Sequence, residues 1–101
     1  MSSVMDTVKK EIIRKEILEL CRETQPCGAG IPVLKAALLK IGCEVSEKDL
    51  TAQVEYLKGK GLIRTEEVSN RRLDIHRVIA YLTPEGIDCL EGNGPDIVGV
   101  G

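Results

Sequence analysis

The stretch EYLKGKGLIRTEE, residues 55–67, constrains the fold most, because it changes from a helical pattern to a strand pattern within a few positions. Apolar residues at helical spacing lead into it: Leu50, Val54 and Leu57. Gly59 and Gly61 then allow the chain to leave the helix in a left-handed conformation, and Leu62 and Ile63 return it to the core. This pattern predicts a short helix followed at once by a strand that packs beneath it.

The N-terminal segment from Val4 to Glu23 has the spacing of an amphipathic helix. Its apolar residues recur mostly at three- and four-residue steps: Val8, Ile12, Ile13, Ile17, Leu20 and Cys21. Leu18 departs from this stripe. Its position indicates either that the helix has a second apolar side suited to a dimer contact or that Leu18 is a single exposed leucine.

A second helix is predicted in IPVLKAALLKIG, residues 31–42. Pro32 suits the first helical turn, and Gly42 suits the position just past the end. Two buried sides fit the spacing, and they consist of Val33, Ala36, Ala37 and Ile41 or of Leu34, Leu38 and Ile41. Ser46 then predicts the N-cap of the third helix, with Asp49 three residues later in a variant of the capping box.

The segment after the third helix predicts a β-hairpin. A strand begins at Leu62, a polar apex follows at residues 68–73, and residues 74–82 form a second run rich in β-branched side chains. Two such runs around a Ser, Asn and Arg turn are typical of paired antiparallel strands.

The end of the chain predicts one more short helix and a tail. Thr83 and Pro84 have the order of an N-cap and a first-turn proline, and the helix is expected to end near Gly92. The domain is therefore placed at residues 1–92. Residues 93–101 are rich in glycine without periodicity and are expected to form a flexible tail.

Composition restricts the function classes. With 101 residues, no Phe or Trp, and Tyr56 and Tyr81 as the only aromatic residues, the core must be aliphatic. A stacking surface for single-stranded nucleic acid is therefore missing. The formal net charge of −2 removes a general basic excess, so only a local patch could bind DNA. Such a patch lies between Lys58 and Arg77, a segment that contains six basic and three acidic residues.

No residue pattern indicates catalysis or a cofactor. The four cysteines lack the close pairs of a zinc site, and buried thiols in a reducing compartment are the expected alternative. His76 has only Asp74 as a nearby carboxylate, which does not make a catalytic group. We therefore expect that the protein is not an enzyme. The sequence also shows no secretory signal pattern and no membrane-length apolar run, so we expect a cytoplasmic protein.

The order of elements, with SEKDLTAQVEYLKGKGLIRTEE, the SNRR turn and AYLTPEGIDCLEG, resembles a winged helix-turn-helix domain over about residues 8–92. Many small bacterial regulators have this form, and LTPEGIDCLEGNGPD also resembles small winged-helix proteins of Mu-like prophages. The resemblance implies an α+β fold, in which a three-helix bundle is followed by a β-hairpin wing and a short terminal helix.

The resemblance also implies a third helix in the DNA major groove and a wing that reaches the backbone or minor groove. The residues expected to contact DNA on this basis are Lys48, Thr51, Gln53, Lys58, Lys60, Asn70, Arg71 and Arg72. Lysine and arginine can neutralise phosphates, while Gln and Thr can address base edges. Acidic residues at or on the same helix oppose this interpretation: Glu44, Glu47, Asp49 and Glu55.

Two functions follow as hypotheses. The first is a transcriptional regulator that binds double-stranded DNA as a homodimer, with the first helix and the C-terminal helix forming the dimer contact. The alternative is a winged-helix adaptor that docks a protein partner in a larger, phage-derived assembly without binding DNA. Its acidic third helix or its tail would then form the contact.

Overall fold

The computed structural model describes the backbone of residues 3–92 and the side chains of residues 7–92. Within this range the chain has four helices and a three-stranded antiparallel sheet, so the fold is α+β. The elements in chain order are α1 (Ser3–Glu23), β1 (Ala29–Gly30), α2 (Ile31–Lys40), α3 (Glu47–Gly59), β2 (Ile63–Asn70), β3 (Ile75–Leu82) and α4 (Pro84–Leu90). This arrangement is compatible with a winged-helix-like fold.

The predicted hairpin is confirmed, and the sheet has one further strand. Strands β2 and β3 pair from Ile63 opposite Leu82 to Asn70 opposite Ile75. Strand β1 adds to the other edge of β3, with Ala29 opposite Ala80. The sequence did not predict β1, because a strand of only two residues is too short to show a period of two.

The buried side of α1 differs from the predicted stripe. Ile13, Ile17 and Cys21 do enter the core, but Leu18 enters it with them. Val8 and Ile12 lie on the opposite side and are 44% and 43% exposed. At 3.6 residues per turn, the Ile13–Ile17–Cys21 line and Leu18 share one side of the helix, which turns Val8 and Ile12 toward solvent.

The buried side of α2 is the one that contains Leu34 and Leu38, joined by Ile31. Val33 is exposed, which excludes the other predicted side. Ile41 is also exposed, at the C-cap, so the prediction that it is buried is wrong. Gly42 has a φ of 82°, as expected for the residue that follows this helix end.

The predicted N-caps of α3 and α4 are both present. The Ser46 hydroxyl accepts a hydrogen bond from the Asp49 backbone N–H at 3.1 Å. The Thr83 hydroxyl accepts one from the Gly86 N–H at 3.1 Å and donates to the Gly61 carbonyl at 2.7 Å. Thr83 therefore fixes the start of α4 to the turn between α3 and β2.

The expected tail, residues 93–101, lies outside the described residues. Across the described range, none of the helices combines the length and apolar character needed to cross a bilayer.

Candidate nucleic-acid interface

The third helix presents some of its predicted DNA-contacting residues on a single side. Lys48, Thr51 and Lys58 are exposed, while Leu50, Val54 and Leu57 are buried on a different side of the helix. The helical spacing places these three exposed residues within roughly a quarter of the helix circumference. Lys60 follows at the C-cap and is also exposed, with its Nζ atom 5.6 Å from the centroid of the Tyr56 ring.

Gln53 does not lie on this exposed side of α3, contrary to the expectation that its side chain would face DNA. Its side chain is buried, and its Oε1 atom accepts a hydrogen bond from Nε of Arg14 at 2.8 Å. The signal for this position was present in the spacing, since Gln53 lies three residues after Leu50 and four before Leu57, on the core side of the helix. A buried side-chain amide is normally satisfied by such a hydrogen bond within the protein.

The exposed side of α3 carries more negative than positive charge. Three acidic residues of α3 are exposed, Glu47, Asp49 and Glu55, against two exposed lysines, Lys48 and Lys58. Glu55 projects between Lys48 and Thr51 on the helical projection, and its carboxylate is 3.9 Å from Nζ of Lys58. Asp49 follows the Ser46 cap in the first turn, where negative charge is favoured by the helix dipole.

The hairpin tip is shaped by Asn70, one of the predicted wing residues. Its Oδ1 atom accepts hydrogen bonds from the backbone N–H groups of Arg72 at 3.0 Å and Leu73 at 3.2 Å. Asp74 closes the turn with a φ of 51°, a left-handed conformation that Asp tolerates better than most residues. The side-chain oxygen of Asn70 therefore already accepts two hydrogen bonds within the turn.

Arg71 and Arg72 lie in this turn with exposed side chains. Among the described residues, neither takes part in an ion pair. Both guanidinium groups are thus free to meet an anion. Strand β2, which leads to this tip, spans seven residue steps from Ile63 to Asn70, or about 23 Å at 3.3 Å per step.

The other arginines of the hairpin differ in availability. Nη1 of Arg64 lies 2.6 Å from Oε1 of Glu66, and its guanidinium carbon lies 4.2 Å from the centroid of the Tyr81 ring. These contacts occupy Arg64 at the base of the hairpin. Arg77 is exposed in β3 opposite Val68.

A small open cleft of about 150 Å³ lies beside Arg64, lined also by Cys21, Gln25, Pro26 and Tyr81. Within residues 7–92, no three His, Cys, Asp or Glu side chains come together as a metal site would require. His76 is exposed on β3, in register with Ser69.

Comparison with protein-family models, curated proteins and solved structures finds no match to this chain. The functional assignment therefore depends on the side chains that the fold exposes. Two groups stand out, the arginines at the hairpin tip and the mixed-charge side of α3.

Proposed function

We propose that this protein is a winged helix-turn-helix protein that binds double-stranded DNA and regulates transcription, with the hairpin as its main electrostatic contact. The observation that carries the proposal is the pair of exposed guanidinium groups of Arg71 and Arg72, which form no ion pair with any described residue and lie on a turn ordered by Asn70. Guanidinium groups suit phosphate oxygens and a narrow minor groove. Because the hairpin turn is already ordered, less conformational entropy is lost when the two arginines bind DNA.

In this proposal α3 lies in the adjacent major groove. Lys48 and Lys58 contact phosphates, and Thr51 is the side chain that reaches base edges. Glu55 lies among them and lowers the affinity, because its carboxylate is repelled by the DNA backbone and competes for Lys58. The wing therefore contributes more to affinity than the helix does.

A second copy of the chain completes the proposed DNA-binding unit, since one small domain contacts few base pairs. The exposed side of α1 suits this contact. Val8 and Ile12 form an exposed apolar pair there, and the nearby charges include both signs. A face of mixed sign can pack against its own copy in an antiparallel, two-fold arrangement without bringing only like charges together.

The charge of α3 favours a second candidate function, that of an adaptor for a protein partner. Glu47, Asp49 and Glu55 outnumber Lys48 and Lys58 on its exposed side. A helix in a major groove usually has the opposite balance. In the adaptor, this side would meet a basic surface of the partner.

Fluorescence-anisotropy titration of the full chain against a random-sequence duplex pool distinguishes the two functions. Under the DNA proposal, binding weakens steeply with salt, and Glu55→Gln raises affinity a few-fold because a repelling charge is removed from the interface. Glu85→Gln, at an exposed position in the first turn of α4, is the matched control for net charge and should change affinity less. Absence of binding at low salt would contradict the proposal and favour the adaptor.

A further inference from the structure

The exposed side of α2 is apolar where a surface helix is normally polar. Lys35 and Lys40 are the only polar residues among its ten, and the helix contains no acidic residue. One side enters the core through Ile31, Leu34 and Leu38. The other side carries large apolar side chains in solvent, with Val33 51% and Leu39 61% exposed.

These exposed residues form one strip. Val33, Ala36 and Leu39 follow one another at three-residue steps, and all three are exposed. A helix that is apolar on all sides is normally buried on all sides. The sequence of α2 is therefore that of a helix whose second side is also covered, although no described part of the chain covers it.

The charges around the strip define what can cover it. Lys35 lies beside the strip and Lys40 at its C-terminal end, and both are exposed. Neither lysine forms an ion pair among the described residues. A surface that meets this side must supply negative charge at its border and apolar side chains at its centre.

We propose that this surface, composed of Val33, Ala36 and Leu39 with Lys35 and Lys40 and named here the α2 face, docks an amphipathic helix of a protein partner. The partner helix presents apolar side chains at three- and four-residue spacing, bordered by Asp or Glu. Its apolar side chains cover the strip, and its carboxylates pair with the two lysines.

Other occupants fit less well. A symmetric contact between the α2 faces of two copies would bring four lysines together without a carboxylate from either helix. This distinguishes the α2 face from the exposed side of α1, where both signs are present. DNA would satisfy the lysines but would leave Val33 and Leu39 against a polar backbone.

The test is a titration of the ¹⁵N-labelled full chain, followed by NMR, with a synthetic amphipathic peptide of leucine and glutamate. The control peptide has lysine at each glutamate position. We expect amide shifts centred on residues 32–41 and at least tenfold tighter binding of the acidic peptide. Equal binding of both peptides, or shifts centred elsewhere, would overturn the proposal.

Variants of exposed residues show whether the peptide binds at the α2 face. Val33→Gln with Leu39→Gln should abolish the acidic-peptide shifts, and Lys35→Glu with Lys40→Glu should reverse the preference toward the basic peptide. The matched control, Val68→Gln with Leu73→Gln, replaces two exposed apolar side chains of the hairpin and should retain binding. Loss of binding in the hairpin control with retention in the α2 variant would overturn the proposal.

Two further measurements test the other occupants. Tighter α2-dependent binding to vesicles of anionic phospholipid than to the acidic peptide would assign the face to membranes. Self-association in sedimentation velocity that is lost in Val33→Gln with Leu39→Gln would assign it to a second copy. Either result overturns the proposal, and because the α2 face lies outside the proposed DNA contacts, its failure is separate from a failure of DNA binding.

Discussion

The Nε atom of Arg14 lies 2.8 Å from the Oε1 atom of Gln53, and this hydrogen bond joins α1 to α3. Both residues are buried, with 8% and 9% of their surface exposed. The guanidinium carbon of Arg14 also lies 3.7 Å from the centroid of the Tyr56 ring. The guanidinium is thus held by an amide and an aromatic face, which fixes the orientation of α3 against α1.

Replacing Gln53 tests this role. Gln53→Leu should lower the free energy of unfolding by about 2 kcal/mol, because Nε–H of Arg14 loses its acceptor in a buried site. Urea unfolding measures the effect, and Thr51→Ala on the exposed side of α3 is the control, expected within about 0.5 kcal/mol of the parent. If Gln53→Leu kept full stability but lost DNA binding, Gln53 would be a contact residue as the sequence had suggested.

Gly86 provides a steric prediction. A Cβ atom at this position of α4 would overlap the backbone carbonyl oxygen of Leu62 and lie 2.6 Å from Cδ1 of Leu82. Gly86→Ala should therefore destabilise the fold by roughly 3 kcal/mol, because backbone must move to admit the methyl group. Gly59→Ala is the matched control, since nothing lies within 4 Å of its Cβ position. Thermal unfolding should show a lower Tm for Gly86→Ala alone, and equal Tm values would refute the close packing of α4.

Thr83 combines a helix cap with a tertiary contact. Thr83→Ala should cost about 2 kcal/mol of unfolding free energy, because it removes both the cap and the bond to the Gly61 carbonyl. Ser46→Ala removes a single cap bond and should cost about 1 kcal/mol. Thr83→Ser retains the hydroxyl and should lose less than Thr83→Ala in denaturant unfolding. Equal losses in the Ser and Ala variants would mean that the hydroxyl contributes nothing.

The buried thiol of Cys21 makes the free energy of unfolding depend on pH in the alkaline range. Burial raises the pKa of its thiol from 9.0 to about 11. Between these values the folded protein keeps a proton that the unfolded chain has lost, so the free energy of unfolding falls as the pH rises from 9 to 11. Below pH 9 this contribution is constant. Urea unfolding at pH 8 and pH 10.5 should show a smaller decrease for Cys21→Ala than for the parent, whereas identical decreases would contradict the buried thiol.

The local features could be predicted from the sequence because each depends on a few neighbouring residues. Ser46 and Thr83 have side chains, and Gly42 a conformation, that are favoured at helix ends, and all three lie at helix ends. The hairpin could be predicted because β-branched residues flank a polar turn. Strand β1 could not, because its pairing with Ala80 and Ile79 depends on chain segments about fifty residues away.

The assignment of faces was less accurate because it depends on packing. In α1, apolar residues occur on two sides, and only the contacts with the rest of the fold select Leu18 over Val8 and Ile12. Gln53 illustrates the same problem with a polar side chain, since its burial requires the Arg14 hydrogen bond. The wing residues were easier to place, because a hairpin tip has no core side. Whether they bind DNA stays a prediction.

The most direct test of the central claim is the salt dependence of duplex binding by fluorescence anisotropy, compared among three forms of the chain. The parent should bind with an affinity that falls steeply with salt. Arg71→Ala with Arg72→Ala should weaken binding to all sequences and reduce the slope of log affinity against log salt by at most about two per bound chain.

The control for net charge is Lys10→Ala with Arg22→Ala, which removes two exposed positive charges from α1 and should leave the slope nearly unchanged. This pattern would support a DNA-binding wing. No binding by the parent at low salt, or an equal slope in the parent and the wing variant, would contradict it.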